Sequence, residues 1–266
     1  NPLSTDGLKE LAEKGPAVNT QKSSGISYSE TKRVGGTLQI NRKLSDNGRN
    51  ITLKGTANYS EGESNNLSTS NVHLYQIKDA LGNDSTYQTN RYSFTPTKNW
   101  DYMAEATYSE PIFKATYLQF RYSFQYKYSK SDRKTYDFSN LGEDFFSGLT
   151  PEYRQWDSYI GRLVNPLENY YDDDLSRYSE YKNYIHNFEL MLRVIRKSYK
   201  LNLGVKLVPQ ETNFIQHYQG VNTDTVRNVT NITPTADFRW NISKVSELRF
   251  NYRGTTSQPS MTDLLD

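Results

Sequence analysis

Strict alternation of apolar and polar side chains across residues 116–130 constrains the fold of this chain more than any other feature of its sequence. The apolar members are Leu118, Phe120, Tyr122, Phe124, Tyr126 and Tyr128, and the polar members between them are Gln119, Arg121, Ser123, Gln125, Lys127 and Ser129. Because successive side chains of a β-strand point to opposite faces, this segment predicts a strand with one aromatic face and one hydrophilic face. At about 3.3 Å per residue it spans about 50 Å, well beyond the ~5 to 6 residues usual in globular proteins.

The same alternation recurs along the chain and predicts four hairpins, or eight strands, between Val34 and Arg253. Further apolar positions of the pattern are Leu38, Ile40, Ile51, Leu53, Tyr59, Trp100, Tyr102, Tyr108, Tyr184, Phe188, Leu190, Leu192, Tyr199, Leu201, Leu203, Val205, Ile232, Phe238, Trp240, Leu248, Phe250 and Tyr252. Links within hairpins are short, whereas 61–90, 131–179 and 210–228 are polar and are predicted to be long loops. Since alternate links of a meander lie at opposite ends of the sheet, we expect an all-β, antiparallel up-and-down meander with short turns on one rim and long loops on the other.

Amino-acid composition excludes several classes of protein. The chain has 22 Tyr and 11 Phe, no Cys and a formal net charge of +2, so neither a disulfide framework nor a nucleic-acid-binding charge pattern is predicted. No run of about 18 apolar residues occurs, which excludes a membrane-spanning helix. The lack of such a run does not exclude a membrane β-barrel, because the alternating residues of barrel strands average to a hydrophilic mean hydropathy, here −0.85.

Two architectures fit the alternation: part of an outer-membrane β-barrel, or a soluble two-layer β protein whose charged side faces solvent. The charged residues that share the side opposite the apolar one are Lys54, Asp101, Glu105, Arg121, Lys127, Asp237, Glu247 and Arg249. Aromatic residues gather toward strand ends, as in Tyr59, Trp100, Tyr128 and Trp240, where interfacial girdles of membrane barrels lie. The aromatic placement and the strand length favour the barrel.

The C-terminal stretch from Asn251 to Leu264, with Tyr252, Gly254, Thr256 and Gln258-Pro259-Ser260, resembles the Y-x-G-x-T-x-Q-P-S-x-x-x-L motif of Bacteroidetes TonB-dependent receptor-like outer membrane proteins. The stretch from Arg42 through Leu53 is similar to a short periplasmic turn of that family. We therefore expect residues 34–266 to be a partial outer-membrane β-barrel domain. Residues 1–33 are expected to be an irregular external or linker segment, with a short helix over Thr5–Lys14.

The resemblance implies a large barrel of about 22 strands with a plug, energised through the TonB system in a Gram-negative outer membrane. It also implies contact with outer-membrane lipid, uptake of a bulky nutrient, and a surface lipoprotein as a further partner. The sequence holds only about eight strands and no plug-like segment or recognisable TonB-interaction box, so transport is assigned to a longer parent. The isolated piece is expected to self-associate through its strand edges.

The interval 131–179 is the predicted ligand-binding region. Aromatic rings stack on sugars or chelates and acidic groups bind cations, so the candidate residues are Tyr136, Trp156, Tyr170, Tyr171, Asp172, Asp173 and Asp174. A self-packed external loop with a solvated acidic tip is the alternative interpretation.

No catalytic residue, metal site or cofactor is predicted, because the three His residues lack metal-ligand spacing and no nucleophile elbow or phosphate loop occurs. The alternative function is a soluble or surface-exposed β-sheet binding module, for example for glycans.

Overall fold

A single antiparallel sheet contains all eight strands in chain order. The computed structural model describes residues 19–141, 145 and 155–254. The strands are β1 (Asn19–Lys43), β2 (Asn50–Lys78), β3 (Asp84–Phe113), β4 (Thr116–Asp137), β5 (Arg177–Ile195), β6 (Tyr199–Tyr218), β7 (Val221–Asn241) and β8 (Glu247–Arg253). The predicted all-β meander of eight long antiparallel strands is confirmed. The predicted helix over 5–14 and the motif residues beyond Gly254 lie outside the described residues.

Strand register brings the alternating apolar residues onto one side of the sheet, which we call the apolar face. Phe120 of β4 lies opposite Tyr108 of β3 and Leu190 of β5, and Leu190 lies opposite Val205 of β6. Phe120 is 45% exposed and Leu190 43% exposed. The soluble two-layer interpretation requires these side chains to converge in a dry interior, whereas in the described part of the chain they lie on the open side of one sheet.

The opposite side of the sheet, which we call the polar face, carries an open cavity. This cavity has a volume of about 1380 Å³ and takes its lining from β4, β5, β6, β7 and β8. A sheet that curves toward this cavity has the polar face on its inner side and the apolar face on its outer side.

The strands extend much further than the alternation predicts. Residues 19–33, predicted to be irregular, belong to β1, and most of the predicted loops 61–90 and 210–228 belong to β2, β3, β6 and β7. The loop predictions over these two intervals were wrong, because only the links 79–83 and 219–220 lie outside strands. Ser, Thr, Asn and Gln side chains hydrogen bond across these extensions, as between Ser29 and Ser64 (3.2 Å) and between Gln21 and Ser70 (2.8 Å). Backbone pairing therefore continues where neither face needs apolar residues.

The two rims of the sheet differ, as expected. At one rim, close to the apolar residues, short turns connect β1 to β2, β3 to β4, β5 to β6 and β7 to β8. Gly48 in the first of these turns has φ +100°, and a Cβ there would come within 3.0 Å of the Tyr117 ring, so glycine is required. Toward the other rim the strands run well beyond the apolar residues, and the long connection from β4 to β5 lies there, with residues 138–141, 145 and 155–176 described. We call this connection the outer loop, and it carries a short helix α1 (Gln155–Ile160) and two single-turn 3₁₀ helices (Ser139–Leu141 and Leu167–Tyr170).

Candidate functional site: the polar face and the outer loop

Charged residues of the polar face neutralise one another across strands. Arg121 of β4 lies between two carboxylates, with its Nε 3.8 Å from Glu105 of β3 and its Nη1 3.6 Å from Glu189 of β5. Further along the sheet, the Glu247 carboxylate of β8 forms ion pairs with Arg239 of β7 at 2.9 Å and with Arg249 at 2.6 Å. Ion pairs spread over neighbouring strands keep the polar face hydrophilic while leaving it with little excess charge.

The eight charged residues predicted to share one side all lie on the polar face. Lys54 lies opposite Glu105, Asp101 opposite Lys127, and Asp237 opposite the polar-face residue Asn251. Arg121, Glu247 and Arg249 belong to the ion pairs described above. This part of the prediction is confirmed, because the side-chain period of two persists without a register break through these segments.

Amide side chains line the cavity on the polar face together with charged residues such as Lys127, Glu189 and Lys206. Its lining includes Asn183, Asn187, Asn202, Asn231 and Asn251. The Oδ1 atom of Asn187 is buried and has no hydrogen-bond partner within the described residues. Because an amide both donates and accepts hydrogen bonds, this lining suits water or a polar, hydroxylated solute better than an apolar one.

The outer loop packs onto the extended parts of β1, β2 and β3 instead of hanging free. Trp156 of α1 is only 6% exposed and stacks on Tyr28 of β1, with ring centroids 5.0 Å apart. Together with Tyr159 and Phe138, Trp156 covers a small core; its strand members are Ile26, Leu67 and Tyr92. These strand residues lie on the same face of the sheet as Val34, Tyr59 and Trp100. The outer loop therefore covers the outward continuation of the apolar face. Burial of Tyr92 raises the pKa of its hydroxyl to about 12.

The predicted ligand-binding aromatics divide into packed and exposed members. Tyr136 stacks on Tyr92 with ring centroids 6.0 Å apart, and Tyr170 meets Phe138 edge-on at 5.1 Å. Trp156 belongs to the same small core. Tyr171 touches Tyr136 with one edge and is otherwise exposed. The structure thus brings all four aromatics into one region, with Tyr171 at its solvent side.

The three consecutive aspartates have separate roles. Asp172 shapes a turn, because its Oδ1 accepts hydrogen bonds from the backbone N–H groups of Asp174 (3.0 Å) and Leu175 (3.3 Å). Asp173 lies 3.0 Å from Nε2 of His217 at the end of β6 and so connects the outer loop to the β6–β7 hairpin. Hydrogen bonds to Asn222 and then to Asp173 raise the pKa of His217 above its usual value. Asp174 is exposed.

In the parts of the chain that the structure describes, no group of three or more His, Asp or Glu side chains is placed to hold a metal ion. None of the helices in those parts is long and apolar enough to cross a membrane.

Sequence reasoning missed the strand partners of the outer loop. Ile26 and Tyr28, Leu67, and Tyr92 and Phe94 are apolar positions that stand alone in polar surroundings. Their i, i+2 spacing is the signal that was available, since such pairs share one face of a strand.

No protein-family model and no curated protein matches the sequence. Among solved structures, the chain is similar to the ferric citrate transporter FecA in its unliganded form, with 12% identity, a TM-score of 0.43, and coverage of 81% of this chain and 29% of that one. It is also similar to the siderophore receptor PiuA from Acinetobacter baumannii (11% identity, TM-score 0.39, 85% of this chain and 42% of that one). A third likeness is to the alcaligin outer membrane receptor FauA from Bordetella pertussis (10% identity, TM-score 0.36, 84% of this chain and 35% of that one).

The chain therefore spans less than half the length of each of these proteins. Since every TM-score lies below 0.5, the function proposed below rests on the residues of the chain itself.

Proposed function

We propose that this chain is part of the wall of an outer-membrane β-barrel, and that the complete protein is a receptor of the TonB-dependent type that takes up a bulky nutrient. The observation that carries the proposal is the continuous, exposed apolar face, which is in register across all eight strands and lies opposite a polar face that carries an open cavity. Hydrocarbon is the medium that such an outer surface fits, and water is the medium that fits the inner one.

The height of the apolar band supports a membrane crossing. In β3 the band runs from Trp100 to Tyr108, eight steps that cover ~27 Å along the strand at ~3.4 Å per residue. With a strand tilt of about 40°, this becomes a height of about 21 Å, close to the ~25 Å apolar band of outer-membrane barrels. The membrane-crossing segments are then 34–42, 51–59, 100–108, 118–128, 184–194, 199–207 and 232–240, and residues 248–252 are the described part of the eighth.

The path of the nutrient is proposed from the chemistry of the chain, and its partners are those that the C-terminal resemblance implies. The amide-rich cavity on the polar face offers a hydrogen-bonding path, and Tyr171, Asp173 and Asp174 form the exposed part of the predicted ligand-binding region. Tyr136, Trp156, Tyr170 and Asp172 hold that region in place. The TonB system and a surface lipoprotein are the proposed partners of the complete protein, and its location is the Gram-negative outer membrane.

A pair of neighbouring arginine substitutions tests the proposal. Leu190→Arg places a charge on the apolar face in the middle of β5, and should destabilise the membrane-inserted protein by about 2 to 4 kcal/mol. Met191→Arg places the same charge on the polar face and should cost much less. The measurement is denaturant unfolding of the complete protein in lipid vesicles. Unfolding is monitored on gels as the loss of the compact, heat-sensitive form.

Equal costs for Leu190→Arg and Met191→Arg would contradict the membrane proposal. Equal costs together with failure of the wild-type protein to insert into vesicles would instead favour the soluble or surface-exposed binding module.

A further inference from the structure

Two lysines lie side by side on the outward surface of the sheet, one step beyond the aromatic end of the apolar band. Lys98 of β3 and Lys130 of β4 are direct cross-strand partners. The next pair on the same face toward the band is Trp100 and Tyr128, whose rings meet edge-on with centroids 6.4 Å apart. Like charges directly opposite each other in a sheet are destabilising, so the Lys98–Lys130 pair requires an explanation.

The acids that flank this pair are engaged by other residues. Glu61 lies opposite Lys98 on β2, but its carboxylate accepts a hydrogen bond from Tyr59 at 2.8 Å. Glu180 lies opposite Lys130 on β5, where it accepts from Tyr178 at 2.8 Å and pairs with Lys182 at 3.3 Å. Within the described residues, neither Lys98 nor Lys130 has a carboxylate within 4.0 Å.

Neither lysine is buried, so both ammonium groups can meet a ligand from outside. Lys98 is exposed, and Lys130 is half-buried with its Nζ 5.6 Å from the centre of the Tyr178 ring. Lys98 and Lys130 leave paired backbone positions, so their flexible side chains can converge on one phosphate group, which offers several acceptor oxygens.

We propose that Lys98 and Lys130 bind the phosphate of a membrane lipid headgroup whose acyl chains lie along the apolar face below Trp100 and Tyr128. This inference rests on the proposed function, because it takes the apolar face to contact lipid. The position is the one a headgroup occupies: aromatic girdles mark the boundary between hydrocarbon and headgroups, and basic residues just beyond that boundary attract anionic lipid. The lysines lie on the side of the long strands, so the lipid belongs to the leaflet facing the outer loop.

The test uses the complete protein in mixed micelles and native mass spectrometry to count retained lipid. The probes are phosphatidic acid and diacylglycerol with the same acyl chains. The wild type is expected to retain phosphatidic acid in preference to diacylglycerol. Lys98→Gln or Lys130→Gln should weaken that retention about five-fold, and the double variant about 25-fold, since each basic residue near an anionic lipid surface contributes about 1 kcal/mol.

The control is Lys22→Gln/Lys78→Gln, which removes the same charge from the far end of β1 and β2 and should retain phosphatidic acid like the wild type. Unchanged retention in the Lys98→Gln/Lys130→Gln variant would overturn the inference. Displacement of the lipid by an equal concentration of inorganic phosphate would overturn it too, because the site would then bind a free anion.

Failure of the inference alone is distinguishable from failure of the proposed function. In the first case the wild type inserts into vesicles, and Leu190→Arg is more costly than Met191→Arg, but phosphatidic acid is not preferred. In the second case the two arginine variants behave alike and the protein does not insert.

Discussion

Trp156 is the residue on which the position of the outer loop most depends. It is nearly buried and stacks on Tyr28, so Trp156→Ala removes a large packed ring. We expect a local destabilisation of about 3 kcal/mol, at the lower end of the range for buried Trp replaced by Ala. Hydrogen exchange should become faster in residues 155–170 and stay unchanged in the middle of β5. The matched control is Val164→Ala in the same loop, since Val164 is 96% exposed and its truncation should leave exchange as it is.

Protonation of His217 should control a second attachment of the outer loop. Hydrogen bonds to Asn222 and to Asp173 raise the pKa of His217 in the folded protein above the ordinary value of 6.5. The stabilisation is therefore fully present below the ordinary pKa and is lost as the pH rises through the raised pKa. The protection factor of residues 172–176 against hydrogen exchange should fall over that rise in pH, and His217→Gln should abolish the fall. If His73→Gln, which removes the separate hydrogen bond between His73 and Asp84, had the same effect, the assignment to His217 would be wrong.

At the level of elements, the β2–β3 hairpin supports the outer loop only through its middle part. Leu67 and Tyr92 contribute to the small core, and Gln88 donates a hydrogen bond to the Ser139 carbonyl of the outer loop (3.0 Å), whereas the paired residues 73–78 and 84–86 lie beyond these contacts. Replacing residues 73–86 by a two-residue turn should leave the proteolysis rate of the outer loop unchanged. Replacing residues 64–95 should expose Phe138 and Trp156 and should speed cleavage by at least about ten-fold, because more than about 1.4 kcal/mol of packing is lost. Equal cleavage rates in the two shortened proteins would contradict the assigned support.

The sequence predicted well those strand segments whose two faces have different surroundings. Phe120 and Arg121, or Leu190 and Met191, lie on faces with different polarity, so alternation reports both the strand and its orientation. In the extensions most positions on both faces are polar, as at Ser29 and Ser64, and apolar pairs such as Ile26 and Tyr28 are too few for alternation to predict the strand, although backbone pairing continues. The packing of Trp156 on Tyr28 joins residues distant in the sequence, and no local pattern encodes such a contact. The ligand-binding role of the outer loop stays a prediction.

At the scale of the whole molecule, the described sheet has two unpaired edges, the outer edge of β1 and that of β8. Unpaired backbone groups on a long strand favour pairing with another chain. We expect the isolated 266-residue chain to sediment as a dimer or larger species in detergent-free buffer. Replacing Thr31 and Arg33 of β1 by Pro should reduce that association if the β1 edge mediates it. A stable monomer of the unmodified chain would count against edge pairing.

In the proposed membrane placement, the length of β3 determines which part of the protein extends furthest from the cell. Its 30 residues cover ~100 Å, or ~78 Å in height at a tilt of about 40°, so ~50 Å remains after a membrane band of ~25 Å is subtracted. The tip at 79–83 would then stand above the surrounding lipid surface. An antibody or a bacteriophage approaching such a cell would encounter this hairpin before it reached any part of the pore.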